Sequence, residues 1–327
     1  IPYPVAVLMV YLFVLYTTFG GYRSVLRTDA FNLVLLVLSL AVLLVLMIGW
    51  VGGFPELYAQ AGALTGSDPS KSLLSLFNDR YTPLICMSMF WGWGLGLAAN
   101  PQYMVRVLSA RNPRSARWTV LGSLILLAFL YFALVHIGLA ARVLAPQSPE
   151  VASSDEIIVH LMNNELYSVW SGFFLFSVIG ACVSTANSQL LLIASSFSYD
   201  IIRTVSPKEV SERQVLNLGR LAVFGGGTIS MLLALNPPEF TLSYGGDVWG
   251  GVSILLFPAT YGTLLSRRVT RQGVWASVLV GGAAILTLYP AYYGGLLPLH
   301  PALPGVILST AALLAGSALS RREEAAQ

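Results

Sequence analysis

The sequence predicts an all-α membrane protein with about nine transmembrane helices. Hydrophobic residues make up 56% of the 327 residues and charged residues only 10%, whereas soluble domains carry roughly one-quarter charged residues. Apolar stretches such as 30–52 and 119–141 reach the roughly 20 residues that a helix needs to cross a bilayer. The basic residues cluster between apolar stretches, so the net charge of +3 does not indicate a nucleic-acid-binding surface.

Glycines, prolines and charged residues separate the apolar stretches and so define the individual spans. In chain order, we predict spans near residues 5–20, 30–52, 82–107, 119–144, 167–202, 215–235, 244–265, 274–292 and 303–319. Two of the connecting segments, 53–80 and 154–165, are long enough to hold structure of their own. In the second, Ile157, Ile158, Leu161 and Met162 recur at helical spacing, which predicts a helix lying on the outer surface as a cap.

The connecting segments divide the basic residues unevenly between the two sides of the membrane. If the first span runs from outside to inside, all but three of the 18 Lys and Arg residues lie on the cytoplasmic side, as the positive-inside rule expects. The three exceptions are Lys71, Arg80 and Arg142. Because this orientation places residue 1 outside, we expect at least one further span to precede this sequence in a longer protein.

The third span has an unusual polar and glycine-rich centre. It contains Gly92, Gly94 and Gly96, followed by Asn100-Pro101-Gln102. Glycine loosens a helix and proline removes one of its hydrogen bonds, so we expect the helix to break between residues 94 and 101. A broken membrane helix is typical of transporter binding sites. A proline kink with glycines for close helix packing is the structural alternative.

The fifth span places neutral oxygens one helical turn apart. The hydroxyls of Ser184 and Thr185 lie near the carbonyl of Ala181, and oxygens of this kind suit a monovalent cation. Bonding of the two hydroxyls to their own helix backbone is an equally good interpretation. Two carboxylates near span ends, Asp29 and Asp247, are candidates for helping an ion to enter or leave, although Asp29 is also close to Arg27.

Four segments together resemble the sodium/solute symporter family, including its bacterial proline and pantothenate carriers. They are the Gly-Gly…Thr-Asp pattern of 20–29, the stretch from Trp93 to Arg106, the stretch 180–200, and Pro258 with the basic segment 266–273. The matches keep the same order along essentially the whole chain. The resemblance implies a leucine-transporter-type fold with two inverted repeats. It also implies one transporter domain over 1–327, which runs from the fourth core helix to the peripheral C-terminal helices and lacks the first three core helices.

The resemblance also assigns roles to individual residues. It implies a sodium site with Ala181, Ser184 and Thr185, completed by a first core helix that is absent from this sequence. It implies substrate contacts for Trp93 and Pro101, and with Leu97, Asn100 and Gln102 these form the candidate solute site. Leu97 stands where the proline carriers have an aromatic residue and Gln102 where they have a histidine, so proline is not assured as the substrate.

The resulting expectation is a sodium-coupled symporter in the bacterial plasma membrane that imports a small polar solute such as an amino acid, a carboxylate or a vitamin. A transporter-like sensory domain of a signalling protein is the alternative. An enzyme is not expected, because His136, His160 and His300 are scattered and show no metal-binding spacing. The partners we expect are sodium, the solute and lipid.

Overall fold

A computed structural model describes residues 3–64, 73–78, 81–144, 156–165, 169–207, 209–235 and 241–326. Regular structure in these residues is helical throughout. The helices are α1 (Tyr3–Val51), α2 (Phe54–Leu64), α3 (Pro83–Ala99), α4 (Pro101–Leu108), α5 (Pro113–Leu144), α6 (Ile157–His160), α7 (Val169–Ser195), α8 (Arg203–Val205), α9 (Glu212–Leu233), α10 (Thr241–Leu265), α11 (Arg271–Tyr293) and α12 (Ala302–Ala326). Two π-helical stretches, Leu161–Glu165 and Ser196–Ile202, follow α6 and α7.

Most of these helices are long and apolar enough to cross a membrane. Among the described residues, 7 helical stretches meet both criteria, and two shorter apolar helices, Val7–Gly21 and Pro83–Ala99, accompany them. These stretches correspond one by one to the predicted spans, which confirms the all-α membrane fold class. Lys71, Arg80 and Lys208, which the orientation argument used, lie outside the described residues.

The first two spans are two helices joined at Gly21 within α1. Gly21 has φ 64° and ψ 179°, a conformation that glycine adopts readily and other residues rarely do. The Tyr16 hydroxyl lies 2.6 Å from Ser24 Oγ and 3.3 Å from Thr28 Oγ1. Because residues 16 and 28 would be about 18 Å apart along a straight helix, these contacts show that the chain folds back at Gly21.

The chain forms two compact units, and the first comprises residues 1–64 and 121–239. In this unit α1 packs against α7 and α9. The predicted outer segments contribute to its core, since Leu57 of α2 and Leu161 are both fully buried. Within the described part of the predicted cap, residues 157–165 are helical, as α6 and the π-helical stretch after it, and the cap turns Leu161 and Met162 inward. The Tyr58 hydroxyl of α2 also bonds His136 Nε2 of α5 at 2.8 Å.

Buried hydroxyl and amide groups hold α1 to α7 inside the first unit. Thr17 donates a hydrogen bond to Asn187 Oδ1, and Ser39 bonds Ser177. All four side chains are at most 2% exposed. Such pairs satisfy polar groups that would otherwise face a hydrocarbon environment, where an unpaired polar group is costly.

The second unit comprises residues 65–120 and 240–327, and in it α3, α10, α11 and α12 pack together. Glycines on α3 allow this close approach. A Cβ added to Gly92 would overlap the side chain of Ala302, and one added to Gly96 would overlap the carbonyl oxygen of Trp249. A Cβ on Gly94 would meet no atom within 4 Å. The glycines of α3 therefore differ in what they do, although the sequence shows them as one repeat.

We predict that Gly96→Ala destabilises the full-length protein whereas Gly94→Ala does not. At Gly96 the added methyl group must displace the backbone of α10, and overpacking of this kind costs about 1–3 kcal/mol. At Gly94 the methyl group meets open space, and alanine is the better helix former. Thermal unfolding of the two purified variants, two positions apart on one helix, measures the difference. Equal melting temperatures would contradict the packing described for Gly96.

Candidate functional site

The third predicted span is broken at a single residue. Helix α3 ends at Ala99 and α4 begins at Pro101, while Asn100 between them is extended, with φ −66° and ψ 120°. The break predicted between residues 94 and 101 is thus confirmed near the end of that range. The alternative interpretation, glycines that allow close helix packing, is right for Gly92 and Gly96. The break therefore comes from Asn100-Pro101 and not from the glycines.

Hydrogen bonds around Asn100 replace those that the break removes. In a regular helix the Leu97 carbonyl would accept from the N–H of residue 101, but residue 101 is a proline and has no N–H. The Asn100 N–H donates to this carbonyl instead, at 3.3 Å. The Gln102 N–H turns to Asn100 Oδ1 at 2.9 Å. This leaves the Ala98 carbonyl without its helical donor, and the Tyr261 hydroxyl of α10 donates to it at 3.1 Å. Sequence analysis did not identify Tyr261.

The amide side chains of the candidate solute site are buried in the second unit. Asn100 is 9% exposed and Gln102 is 8% exposed, while Leu97 and Pro101 are half-buried. Asn100 has a structural role besides any contact with a solute, because its side chain caps the start of α4. Gln102 donates to that cap only through its backbone N–H. Its side-chain amide is therefore more available than that of Asn100 to contact a solute.

Trp93 belongs to an aromatic cluster of the second unit. Its indole lies where a Cβ on Gly246 of α10 would be, and its ring centroid is 6.4 Å from that of Trp249. The His300 ring meets it edge-on at 5.9 Å. The indole Nε1 is buried and has no hydrogen-bond partner among the described residues. Sequence analysis treated His300 as isolated, and no periodic signal in the sequence connects it with Trp93.

The candidate cation ligands on α7 converge on one carbonyl. Ser184 Oγ donates to the Ala181 oxygen at 2.8 Å and Thr185 Oγ1 donates to it at 3.1 Å. The backbone bonding that the sequence left open is therefore present. It does not exclude a cation, because each hydroxyl uses its hydrogen for this bond and keeps two lone pairs. The two hydroxyl oxygens therefore keep lone pairs, while the Ala181 oxygen accepts both of their bonds.

Asp29 is connected to the same face of α7. Its Oδ2 accepts a hydrogen bond from Ser188 Oγ at 3.1 Å, and Ser188 lies one turn beyond Ser184. The structure therefore brings together Asp29 and the candidate cation ligands within the first unit. The proposed solute residues Trp93, Leu97, Asn100, Pro101 and Gln102 all belong to the second unit.

Comparisons with known proteins place the chain in a family. The family model described as the sodium:solute symporter family matches residues 1–281. The chain is 27% identical over 321 residues to the osmoregulated proline transporter OpuE of Bacillus subtilis, covering 94% of this chain and 62% of that protein. It is 24% identical over 319 residues to a sodium/proline symporter of Salmonella typhimurium, covering 96% and 61%. The chain thus spans about three fifths of the length of these relatives.

A solved structure has the same fold. The structure of a Na+-coupled sialic acid symporter in a substrate-bound, outward-open state superimposes with a TM-score of 0.76, covering 96% of this chain and 66% of that one. At 20% sequence identity this similarity concerns the fold alone, which is of the leucine-transporter type. The family match covers most of the sequence, and the chain belongs to the sodium:solute symporter family.

Proposed function

We propose that the protein containing this chain is a sodium-coupled symporter that imports a small polar organic solute across a bacterial plasma membrane. The observation that carries the proposal is the group of three neutral oxygens on α7 in a chain of this family. Sodium entry supplies energy, since one charge moving through 100 mV releases about 2.3 kcal/mol. In this proposal residues 1–327 form one transporter domain.

The proposed sodium ligands are Ala181, Ser184 and Thr185. Neutral hydroxyl and carbonyl oxygens can replace part of the hydration shell of sodium and still allow it to leave. Three oxygens do not complete its coordination, so we expect further ligands from another core helix of the protein. We assign Asp29 to the ion pathway, because its hydrogen bond to Ser188 places a negative charge beside the proposed site.

The proposed solute residues are Trp93, Leu97, Asn100, Pro101 and Gln102. An indole and a leucine provide apolar walls, and buried amides can orient a polar ligand. The relatives are named for proline, and proline is therefore the first solute to test. Leu97 and Gln102 differ from the residues expected in proline carriers, so amino acids, carboxylates and vitamins all belong in the panel.

The sensory-domain alternative has no specific observation in its favour. The family and the relatives with which the chain aligns are named as symporters or transporters. Both functions predict solute binding, but only a symporter accumulates solute against its gradient. The two are separated by a transport assay.

We predict sodium-dependent accumulation of at least one solute by proteoliposomes that contain the full-length protein. Uptake of labelled L-proline and of a panel of other amino acids, carboxylates and vitamins is measured with external sodium chloride and with choline chloride. A sodium gradient should drive accumulation, and a sodium ionophore should abolish it. Binding without sodium-driven accumulation for every solute would favour the sensory alternative.

We further predict that Ser184→Ala and Thr185→Ala each weaken apparent sodium affinity by about tenfold, which corresponds to about 1.4 kcal/mol. Each change removes one proposed ligand and little volume. Solute binding measured in sodium should weaken too, because coupling between two ligands is reciprocal. Uptake at graded sodium concentrations measures the effect.

Thr228→Ala is the matched control for the sodium prediction. Thr228 is a half-buried residue of α9 whose hydroxyl donates to the Phe224 carbonyl at 2.8 Å, the same backbone bond that Thr185 makes. If all three variants keep a wild-type sodium dependence, the hydroxyls of α7 serve only their own helix and the sodium site lies elsewhere.

For the solute site we predict that Gln102→Ala raises KM for the transported solute about tenfold, or ~1.4 kcal/mol, with little change in kcat. Asn100→Ala should also lower thermal stability, because loss of a helix cap costs about 1 kcal/mol. Asn100→Asp keeps an oxygen for the cap and should recover that stability. A wild-type KM in Gln102→Ala would move the solute site towards Tyr244 and Asp247.

A further inference from the structure

Asp247 and His300 form a partly buried carboxylate–imidazole pair that the proposed transport function does not use. Asp247 lies in the first two turns of α10, and His300 precedes α12. His300 Nε2 is 3.1 Å from Asp247 Oδ1, and the two side chains are 3% and 19% exposed. The Tyr293 hydroxyl donates to Asp247 Oδ2. The Tyr289 hydroxyl donates to the Asp247 backbone carbonyl at 3.0 Å.

The hydrogen bonds determine which ring nitrogen of His300 carries the proton. The Ala302 N–H can only donate, and it points at His300 Nδ1 at 3.3 Å. Nδ1 is therefore the acceptor, and Nε2 carries the hydrogen that faces Asp247. An imidazole in this tautomer is neutral, and together with an ionised carboxylate it makes a pair with one negative charge.

No cationic side chain among the described residues compensates this charge nearby. The groups facing the pair are Ser88 and Trp93 of α3 and three tyrosines of α11, Tyr289, Tyr292 and Tyr293. The sequences of α3 and α10 contain no Lys or Arg, and neither does the segment 294–301. The basic residues of α11 and α12 lie at their opposite ends, about 30 Å away along helices of this length. A proton is the cation that two such small, hydrogen-bonded groups can accept.

Binding of one proton would neutralise the pair and disturb its hydrogen bonds. A proton on Nδ1 would face the Ala302 N–H, and that bond would be lost. A proton on the Asp247 carboxyl would turn an oxygen that now only accepts into a donor, opposite Tyr293 or His300. In either case the contact between α10 and the start of α12 must rearrange.

The arrangement also connects the pair with the proposed solute site. His300 meets the Trp93 ring edge-on at 5.9 Å, and Ser88 of α3 donates to the His300 carbonyl at 2.6 Å. Trp93 itself occupies the space left by Gly246, the neighbour of Asp247. A movement of His300 therefore changes the packing of Trp93.

We propose that Asp247 and His300 form a proton-binding site at the predicted outer end of the second unit, and that they act as positioning residues for Trp93. The proton binds reversibly from the external solution. External acidity then alters solute handling through the position of Trp93. This last consequence rests on the proposed function, whereas proton binding itself does not.

A pH titration of tryptophan fluorescence tests proton binding on the purified full-length protein. Protonation of the pair changes the surroundings of the Trp93 ring, which His300 contacts edge-on, so the emission of Trp93 should change as the pH is lowered from 8.5 to 5. The titration step should be lost in Trp93→Phe, His300→Gln and Asp247→Asn. His160→Gln, a histidine change in the first unit, is the matched control and should keep the step. A step of wild-type size in His300→Gln would overturn the proposal.

Tyr293→Phe provides a test that does not depend on the folding of the His300 or Asp247 variants. It removes one donor to the carboxylate and keeps the pair, so the ionised form loses stabilisation relative to the protonated form. The midpoint of the titration should therefore shift. An unchanged midpoint would show that the step arises elsewhere, and the proposal would fail.

Uptake at equal internal and external pH, compared at pH 5.5 and pH 7.5, tests the functional consequence. The wild-type protein should change its KM for solute between the two values, and Asp247→Asn should lose that change. Sodium-driven uptake without a fluorescence step would overturn the proton site alone. A fluorescence step in a protein that accumulates no solute would support the proton site and overturn the proposed transport function.

Discussion

Every backbone amide and carbonyl within the hydrocarbon layer must find a hydrogen-bond partner inside the protein, because lipid offers none. This constraint explains the irregular positions of the chain. Three bonds replace those lost where α3 ends at Ala99. The Asn100 side chain accepts from the Gln102 N–H, the Asn100 N–H donates to the Leu97 carbonyl, and the Tyr261 hydroxyl donates to the Ala98 carbonyl. The broken helix is therefore held by three separate bonds and not by a simple kink.

The same constraint explains why so many hydroxyl groups turn towards their own helices. Ser184 and Thr185 donate to Ala181, and Thr228 donates to Phe224. These bonds satisfy the hydroxyl hydrogen and leave oxygen lone pairs available. The proposed cation site needs no charged side chain, since the hydroxyl oxygens would offer their lone pairs while their hydrogens stay bonded to the helix. The matched threonine variant on α9 separates this role from plain bonding to the helix backbone.

Local sequence pattern predicted much of this molecule, and long-range pairing limited the rest. The spans, the break before Pro101 and the oxygens of α7 all depend on residues within a few turns of one another. Tyr261 and Ala98 are separated by 163 positions, and His300 and Asp247 by 53, so no periodicity reveals them. The glycines of α3 show the same limit: Gly94 and Gly96 look alike in sequence, but only the partner helix distinguishes them.

The turn at Gly21 has a consequence for how the protein enters the membrane. Without it, the 49 residues of α1 would form a rod about 74 Å long, more than twice the roughly 30 Å thickness of the hydrocarbon layer. With it, the same residues form two spans whose arms share the hydrogen bond between the Tyr16 and Ser24 hydroxyls. One glycine thus lets this segment fit the bilayer as a pair of spans, where a single straight helix would project far beyond it.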